Sequence, residues 1–214
     1  MICCTFLLKI IYEGNYGRTN LEENMNATLN VHEIEQRDGI ISKLKERGAQ
    51  EQLLMILTGP GGCGKSTAVQ LAQQYCAALC SAVAVPFDAT TFSFTSTTGS
   101  SAALFGGNTI HSAAHLNKKK NIDAYREEWK LVRFLIIDEI SFFKCTDMRN
   151  LNEKLKRLTG DTHLPYGGVS IVFSGDFHQL NPICNADNFL YSGLAGAMAW
   201  ENTINCAIFL ENSQ

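Results

Sequence analysis

Short runs of apolar, strand-like residues alternate along this chain with longer segments in which apolar positions recur at helical spacing. The strand-like runs predict buried strands over residues 53–58, 92–96, 134–137, 169–173 and 207–210. The helical spacing predicts helices over residues 34–47, 66–80 and 148–158. Strands that alternate with helices favour an α/β fold with a mainly parallel sheet, in which ligands bind beyond the carboxyl ends of the strands.

The composition is that of a globular protein, because hydrophobic residues make up 45% and charged residues 18% of the 214 positions. The net charge of −3 argues against a protein held to nucleic acid by bulk charge, but a local groove can still bind by stacking and a few phosphate contacts. The apolar segment 1–12 is too short to span a membrane, so we expect no membrane partner.

We divide the chain into an N-terminal extension of unassigned role, residues 1–26, and one domain, residues 27–214. We make no prediction of the oligomeric state from the sequence.

The strongest chemical signal is an octapeptide, Gly59-Pro60-Gly61-Gly62-Cys63-Gly64-Lys65-Ser66, which fits the pattern G-x-x-x-x-G-K-[ST]. It lies between a predicted strand and a predicted helix, and this context favours a phosphate-binding loop whose backbone N–H groups point at the ligand. Lys65 is predicted to reach the β- and γ-phosphates of ATP, and the Ser66 hydroxyl is predicted to hold Mg²⁺. Thr67, which begins the helix, is assigned to the same nucleotide site. ATP binding indicates an intracellular protein.

Acidic and polar residues follow two later strands. Asp138 and Glu139 come directly after the apolar run 134–137. Paired with a phosphate loop, Asp138 is predicted to hold Mg²⁺ and Glu139 to orient and deprotonate the attacking water. After the run 169–173, Gln179 either contacts the γ-phosphate or belongs to an ordinary polar loop, and the residues alone leave both interpretations open.

A third segment, residues 97–112, is rich in hydroxyl side chains and glycine. Such residues let a ligand approach the backbone closely and offer hydrogen bonds to phosphate oxygens. Judged by chemistry alone, the same composition is equally typical of any flexible loop.

Together these segments resemble the Pif family of DNA helicases, the 5′→3′ branch of superfamily one, and the resemblance runs from about Leu29 to the C-terminus. The motifs that carry it occur in the family's order and spacing: Gly59–Ser66, Thr98-Gly99 through Thr109-Ile110-His111-Ser112, Asp138-Glu139-Ile140-Ser141, and Gly167-Gly168 followed by Gly175-Asp176-Phe177-His178-Gln179-Leu180. Many ATPases share the first and third of these motifs, but few share all four.

The resemblance implies a RecA-like P-loop NTPase domain that serves as the first motor domain of an ATP-dependent DNA helicase. It implies action on single-stranded DNA and duplex junctions, in repair, recombination and telomere maintenance, and in a eukaryote it favours the nucleus over the mitochondrion. Gln179 is similar to the family's γ-phosphate-sensing glutamine, and Gln36 to its adenine-reading glutamine. The residues similar to those that line single-stranded DNA are Thr98, Gly99, Thr109 and His111.

Departures from the family leave alternatives open. Asn181 replaces the first proline of a frequent Pro-Pro pair, and Gln214 aligns with an arginine that contacts the γ-phosphate. We expect no second motor domain in this chain. We therefore expect a fragment, a truncated gene model or a degenerate paralogue, and a chain that hydrolyses ATP poorly alone. The alternatives to a helicase domain are a nucleotide-dependent DNA-binding module without competent catalysis, and an unrelated P-loop ATPase or kinase.

Overall fold

The structure is a computed structural model that describes residues 52–82, 92–117, 122–179, 182, 188–191, 200 and 203–210. Two compact units divide the chain: the first holds Met1–Glu51 and Ser66–Asp88, and the second holds Gln52–Lys65 and Ala89–Gln214. The predicted N-terminal extension, the predicted helix over 34–47 and Gln36 lie outside the described residues.

The second unit contains a six-stranded parallel sheet with the strand order β3-β2-β4-β5-β1-β6. Its strands are β1 Leu54–Thr58, β2 Phe92–Ser96, β3 Asn108–Thr109, β4 Phe134–Asp138, β5 Ser170–Gly175 and β6 Cys206–Phe209. The five predicted strands are confirmed, with ends that differ by at most two residues. The two-residue strand β3 was not predicted, because a strand this short carries no periodic signal.

Burial follows position in the sheet. Every residue of the adjacent strands β4 and β5 is buried, and their register pairs Leu135 with Ile171. In the edge strand β6 partly buried and exposed positions alternate, and Phe209 is 59% exposed. Unbroken apolar runs therefore mark strands covered on both faces, as expected for a parallel sheet.

The helices are α1 Lys65–Ala82, α2 Gly99–Leu104, α3 Ile110–Ala113, α4 Arg126–Leu131 and α5 Cys145–Thr159. Short 3-10 helices cover Ile122–Tyr125, Ile140–Phe142 and Pro165–Gly168. The predicted helices over 66–80 and 148–158 are confirmed as α1 and α5, and both are longer than predicted. From Ser66 onward α1 belongs to the first unit. None of the helices in the described part of the chain is long and apolar enough to cross a membrane.

Helix α5 covers the core of the second unit with one apolar stripe. Its buried apolar side chains recur every three or four residues, at Cys145, Met148, Leu151, Leu155 and Leu158. They join a single apolar cluster with residues of β4 and β5. The helix ends at Gly160, whose left-handed conformation (φ 81°) is one that glycine enters without steric cost.

We expect Leu151→Ala to lower the free energy of unfolding by about 2–5 kcal/mol, because Leu151 is fully buried in this cluster and truncation leaves a cavity. Urea unfolding followed by circular dichroism measures the change. The control is Arg149→Ala on the exposed side of the same helix, which we expect to change the free energy by less than about 0.5 kcal/mol. Equal losses in the two variants would contradict the packing described.

Candidate nucleotide site

Four segments of the second unit meet at the carboxyl edge of the sheet, because each directly follows a parallel strand. They are the loop 59–65 after β1, Thr97 and Thr98 after β2, Glu139 after β4, and residues 176–179 after β5. The sheet edge therefore brings together three segments that were predicted to share the nucleotide, and one that was predicted to line DNA.

The loop 59–65 is already folded around its own lysine. Lys65 Nζ donates hydrogen bonds to the carbonyl oxygens of Gly59 (2.7 Å) and Pro60 (3.0 Å), and it lies 3.7 Å from Cys63 Sγ. The Cys63 N–H donates to the Pro60 carbonyl at 3.3 Å and closes the turn. A phosphate group that reaches this loop meets an ammonium group held in place by backbone carbonyls.

Glycine is required at two points of the loop for its backbone shape. Gly62 and Gly64 have φ angles of 80° and 93°, which L side chains rarely adopt. Gly61 is exposed, and the loop leads directly into helix α1. Ser66 and Thr67 are exposed residues of the first turn of α1, and they belong to the first unit.

Asp138 is a buried carboxylate at the end of β4, with 5% of its surface exposed. Ser174 Oγ donates to its Oδ1 at 2.8 Å, and Ser101 Oγ donates to its Oδ2 at 2.9 Å. Among the described residues, each carboxylate oxygen accepts from one hydroxyl, which leaves one of its two lone pairs. Asp138 is therefore held in one orientation while it retains the capacity to bind a cation.

Glu139 follows in a left-handed backbone conformation, with φ 57° and ψ 41°. The end of β2 holds this turn: Thr97 Oγ1 donates to the Glu139 carbonyl at 2.7 Å. The Thr97 N–H and Ser96 Oγ donate to the Asp138 carbonyl at 3.0 Å and 3.1 Å. These bonds stabilise a conformation that is unfavourable for a residue with a side chain.

Burial raises the pKa of the Glu139 carboxyl above its ordinary value, and the negative charge of Asp138 adds to this rise. The Lys65 ammonium opposes the rise, and Asp176 contributes a smaller increase. A carboxylate with a raised pKa accepts a proton more readily, which suits a general base.

Gly175 allows the end of β5 to pack against the turn that follows Glu139. A Cβ atom at Gly175 would lie 3.0 Å from the Ile140 backbone nitrogen and 2.9 Å from Ile140 Cγ2. Asp176, the next residue, is buried and accepts from the His178 N–H at 2.9 Å. The segment after β5 is thereby fixed beside the acidic pair.

Gln179 lies next to the phosphate loop. The side-chain atom Nε2 is 3.0 Å from the position that a Cβ atom of Gly61 would take. The backbone N–H of Gln179 donates to the Asp176 carbonyl at 3.2 Å. The side chain is exposed. The phosphate-contacting interpretation of Gln179 stays a prediction.

The four candidate DNA-lining residues lie around β2 and β3. Thr98 and Thr109 are the N-caps of α2 and α3, where their hydroxyls accept from the N–H groups of the third helical residue. Gly99 is exposed at the start of α2, and the His111 ring packs edge-on against Phe143 at 5.5 Å. Because Ser96 pairs with Thr109 in the sheet, the two capping threonines are brought to the same edge.

Sequence reasoning did not identify Thr97, Ser101 and Ser174 as partners of the acidic pair. Ser101 and Ser174 lie 37 and 36 residues from Asp138 along the chain, and a serine carries no pattern that marks it as a buried donor. The one available signal was the hydroxyl-rich stretch 97–101 itself, which by chemistry alone is typical of a loop.

Comparison with known proteins agrees with this geometry. The sequence model of the PIF1-like helicase family matches residues 33–213. The ATP-dependent DNA helicase PIF1 of Candida albicans is 39% identical over 101 residues, which cover 42% of this chain and 11% of that protein. The ATP-dependent DNA helicase PIF1 of Saccharomyces cerevisiae is 28% identical over 128 residues, 55% of this chain and 15% of that protein. The matched part is well under two thirds of either relative.

Two solved structures share the fold. The crystal structure of Pif1 helicase from Candida albicans has a TM-score of 0.57 at 26% identity, and the match covers 82% of this chain and 39% of that one. Pif1 helicase from Bacteroides, in complex with ADP-AlF3 and single-stranded DNA, has a TM-score of 0.58 at 20% identity, with 83% and 41% covered. The predicted resemblance and the RecA-like α/β fold class are confirmed.

We expect Glu139→Gly to be more stable than Glu139→Ala by about 1 kcal/mol, because both remove the side chain but only glycine tolerates the left-handed backbone. Urea unfolding of the two variants measures the difference. The control pair is Glu153→Gly and Glu153→Ala in helix α5, where glycine is expected to be the less stable by about 1 kcal/mol. The same sign at both positions would contradict the backbone conformation of Glu139.

Proposed function

Because this chain belongs to the PIF1-like helicase family, we propose that it is the ATP-binding motor domain of an ATP-dependent DNA helicase. The observation that supports the proposal is the convergence of Lys65, Asp138, Glu139 and Gln179 at one edge of a parallel sheet. ATP is the substrate, and hydrolysis yields ADP and phosphate.

Lys65 and the loop bind the triphosphate. The ammonium group already points into the loop, and phosphate oxygens replace the carbonyls of Gly59 and Pro60 as its acceptors. Negative charge that develops on the transferred phosphoryl group is stabilised by this ammonium and by the backbone N–H groups of the loop.

Asp138 has the properties of a Mg²⁺ ligand, because it is a buried carboxylate with both oxygens oriented and a lone pair left on each. Mg²⁺, when bound, neutralises charge on the phosphate oxygens. Ser66 stays a prediction as a second ligand.

Glu139 is the proposed general base. Its carboxylate takes the proton of a water whose oxygen forms a bond to the γ-phosphorus, while the bond from that phosphorus to the bridging oxygen of ADP breaks. The raised pKa of Glu139 supports this role. Gln179, beside the phosphate loop, is proposed to hydrogen-bond the γ-phosphate and to report its presence.

DNA is proposed to bind along the capping residues of α2 and α3. Thr98 caps α2, which begins at Gly99, and Thr109 caps α3, which has His111 in its first turn. Hydroxyl, imidazole and backbone groups are therefore available to the phosphates and bases of a single strand. Duplex junctions are the proposed substrate for unwinding. The proposal includes an intracellular location, which is nuclear in a eukaryote. It also includes roles in DNA repair, recombination and telomere maintenance. Gln36 is proposed to recognise the adenine of ATP.

We expect Lys65→Ala to weaken ATP binding by about 10–100-fold, the loss typical of charge-assisted hydrogen bonds. Isothermal titration with Mg-ATP measures the affinity. The control is Lys130→Ala, since Lys130 is an exposed lysine of α4 whose ammonium pairs with Glu127. Unchanged ATP affinity in Lys65→Ala would overturn the assignment of the loop.

We expect Glu139→Gln to lower DNA-stimulated ATP turnover by about 10²–10⁴-fold while ATP affinity is kept, because the amide cannot accept the proton of water. Turnover is measured by phosphate release with single-stranded DNA present, and Glu127→Gln is the exposed control. Unchanged turnover in Glu139→Gln would contradict its role. A wild-type protein that binds ATP and DNA without turnover would favour the alternative of a nucleotide-dependent DNA-binding module.

A further inference from the structure

The end of β2 and the start of α2, residues 96–101, are hydrogen-bonded to the acidic pair at four points. Three of these bonds reach backbone carbonyls, and they come from Ser96 and Thr97. The fourth is the bond from Ser101 Oγ to Asp138 Oδ2, at 2.9 Å and buried. Only this fourth bond reaches a carboxylate oxygen that is proposed to bind metal.

Ser101 also contacts the start of its own helix. Its N–H donates to Thr98 Oγ1 at 3.3 Å, while its hydroxyl donates to Asp138. Two consecutive hydrogen bonds through one residue therefore join Thr98, a proposed DNA contact, with Asp138, the proposed metal ligand.

The carboxylate has a second and similar partner in Ser174. This hydroxyl donates to Asp138 Oδ1 at 2.8 Å and is buried like that of Ser101. It belongs to β5, however, and not to the segment proposed to line DNA. Ser101 and Ser174 thus form a matched pair that holds the same carboxylate from two different elements.

We infer that Ser101 is a positioning residue that couples DNA binding at the start of α2 to Mg-nucleotide binding at Asp138. DNA held by Thr98 and Gly99 fixes α2, and the Ser101 hydroxyl transmits that placement to one oxygen of Asp138. The coupling is reciprocal, so DNA raises the affinity for Mg-nucleotide by the same factor by which Mg-nucleotide raises the affinity for DNA. The inference rests on the proposed function, which supplies both ligands.

The test compares Ser101→Ala with Ser174→Ala in the full chain. The affinity for a non-hydrolysable ATP analogue with Mg²⁺ is measured with and without a single-stranded oligonucleotide, and the ratio of the two affinities gives the coupling. We expect a ratio of about fivefold or more in the wild-type chain, which is typical of coupled sites. Both variants are expected to bind the analogue more weakly. Ser174→Ala keeps the wild-type ratio, whereas the ratio in Ser101→Ala falls below about twofold.

A purely structural role for Ser101 predicts a different result, in which the two variants lose nucleotide affinity and keep the same ratio. That result overturns the inference, as does a wild-type chain that binds both ligands without coupling. A wild-type chain that binds neither ligand refutes the proposed function itself, and the two failures are therefore distinguishable.

A second pair of variants keeps the test decisive if Ser101→Ala does not fold. Ser101→Thr and Ser101→Val have the same shape and differ only in the hydroxyl group. We expect the threonine variant to keep the coupling ratio and the valine variant to lose it, at similar melting temperatures. Equal ratios in this pair overturn the inference.

Discussion

The Asp138 carboxylate is withdrawn from water, and a buried charge costs several kcal/mol unless hydrogen bonds replace its hydration. Two serine hydroxyls from α2 and β5 supply these bonds, one to each oxygen. Both donors must arrive from elements that are distant in the chain, so the carboxylate is satisfied only when β2, β4 and β5 are aligned with their ends at one edge. The hydrogen bonds that satisfy Asp138 therefore require the same strand register that forms the sheet.

The same edge shows how the turn at Glu139 is held in a backbone conformation that its residue type disfavours. Glu139 occupies a left-handed conformation that L side chains disfavour, and Thr97 bonds its carbonyl from one side. On the other side, Gly175 passes so close to Ile140 that a Cβ atom there would lie 2.9 Å from Ile140 Cγ2. The position of the Glu139 side chain is therefore set by neighbours and not by its local sequence, as is common where strain serves a site.

Much of this arrangement was predictable from sequence. The strands were predicted because residues such as Leu135 and Ile171 lie in runs that are apolar on both faces, and the phosphate loop was predicted because its spacing follows a strand and precedes a helix. The short helices α2 and α3 were not predicted, because six and four residues make fewer than two helical turns and show no repeated apolar spacing. Ser101 and Ser174 were not predicted as hydrogen-bond donors to Asp138, because they lie more than 35 residues from it along the chain. Which residues meet over such a separation depends on strand register, and the register is seen only in the folded sheet.

The position of β1 in the sheet also governs when the phosphate loop can form during synthesis. β1 lies between β5 and β6, although it ends at Thr58 and these neighbours begin only at Ser170 and Cys206. Contacts between such distant segments form late, because the intervening chain must first close a long loop. A nascent chain that has exposed only its first half therefore carries the whole phosphate-binding motif but none of the neighbours of β1. The strand that leads into the loop therefore gains both of its sheet partners late in translation, after β5 and β6 have left the ribosome.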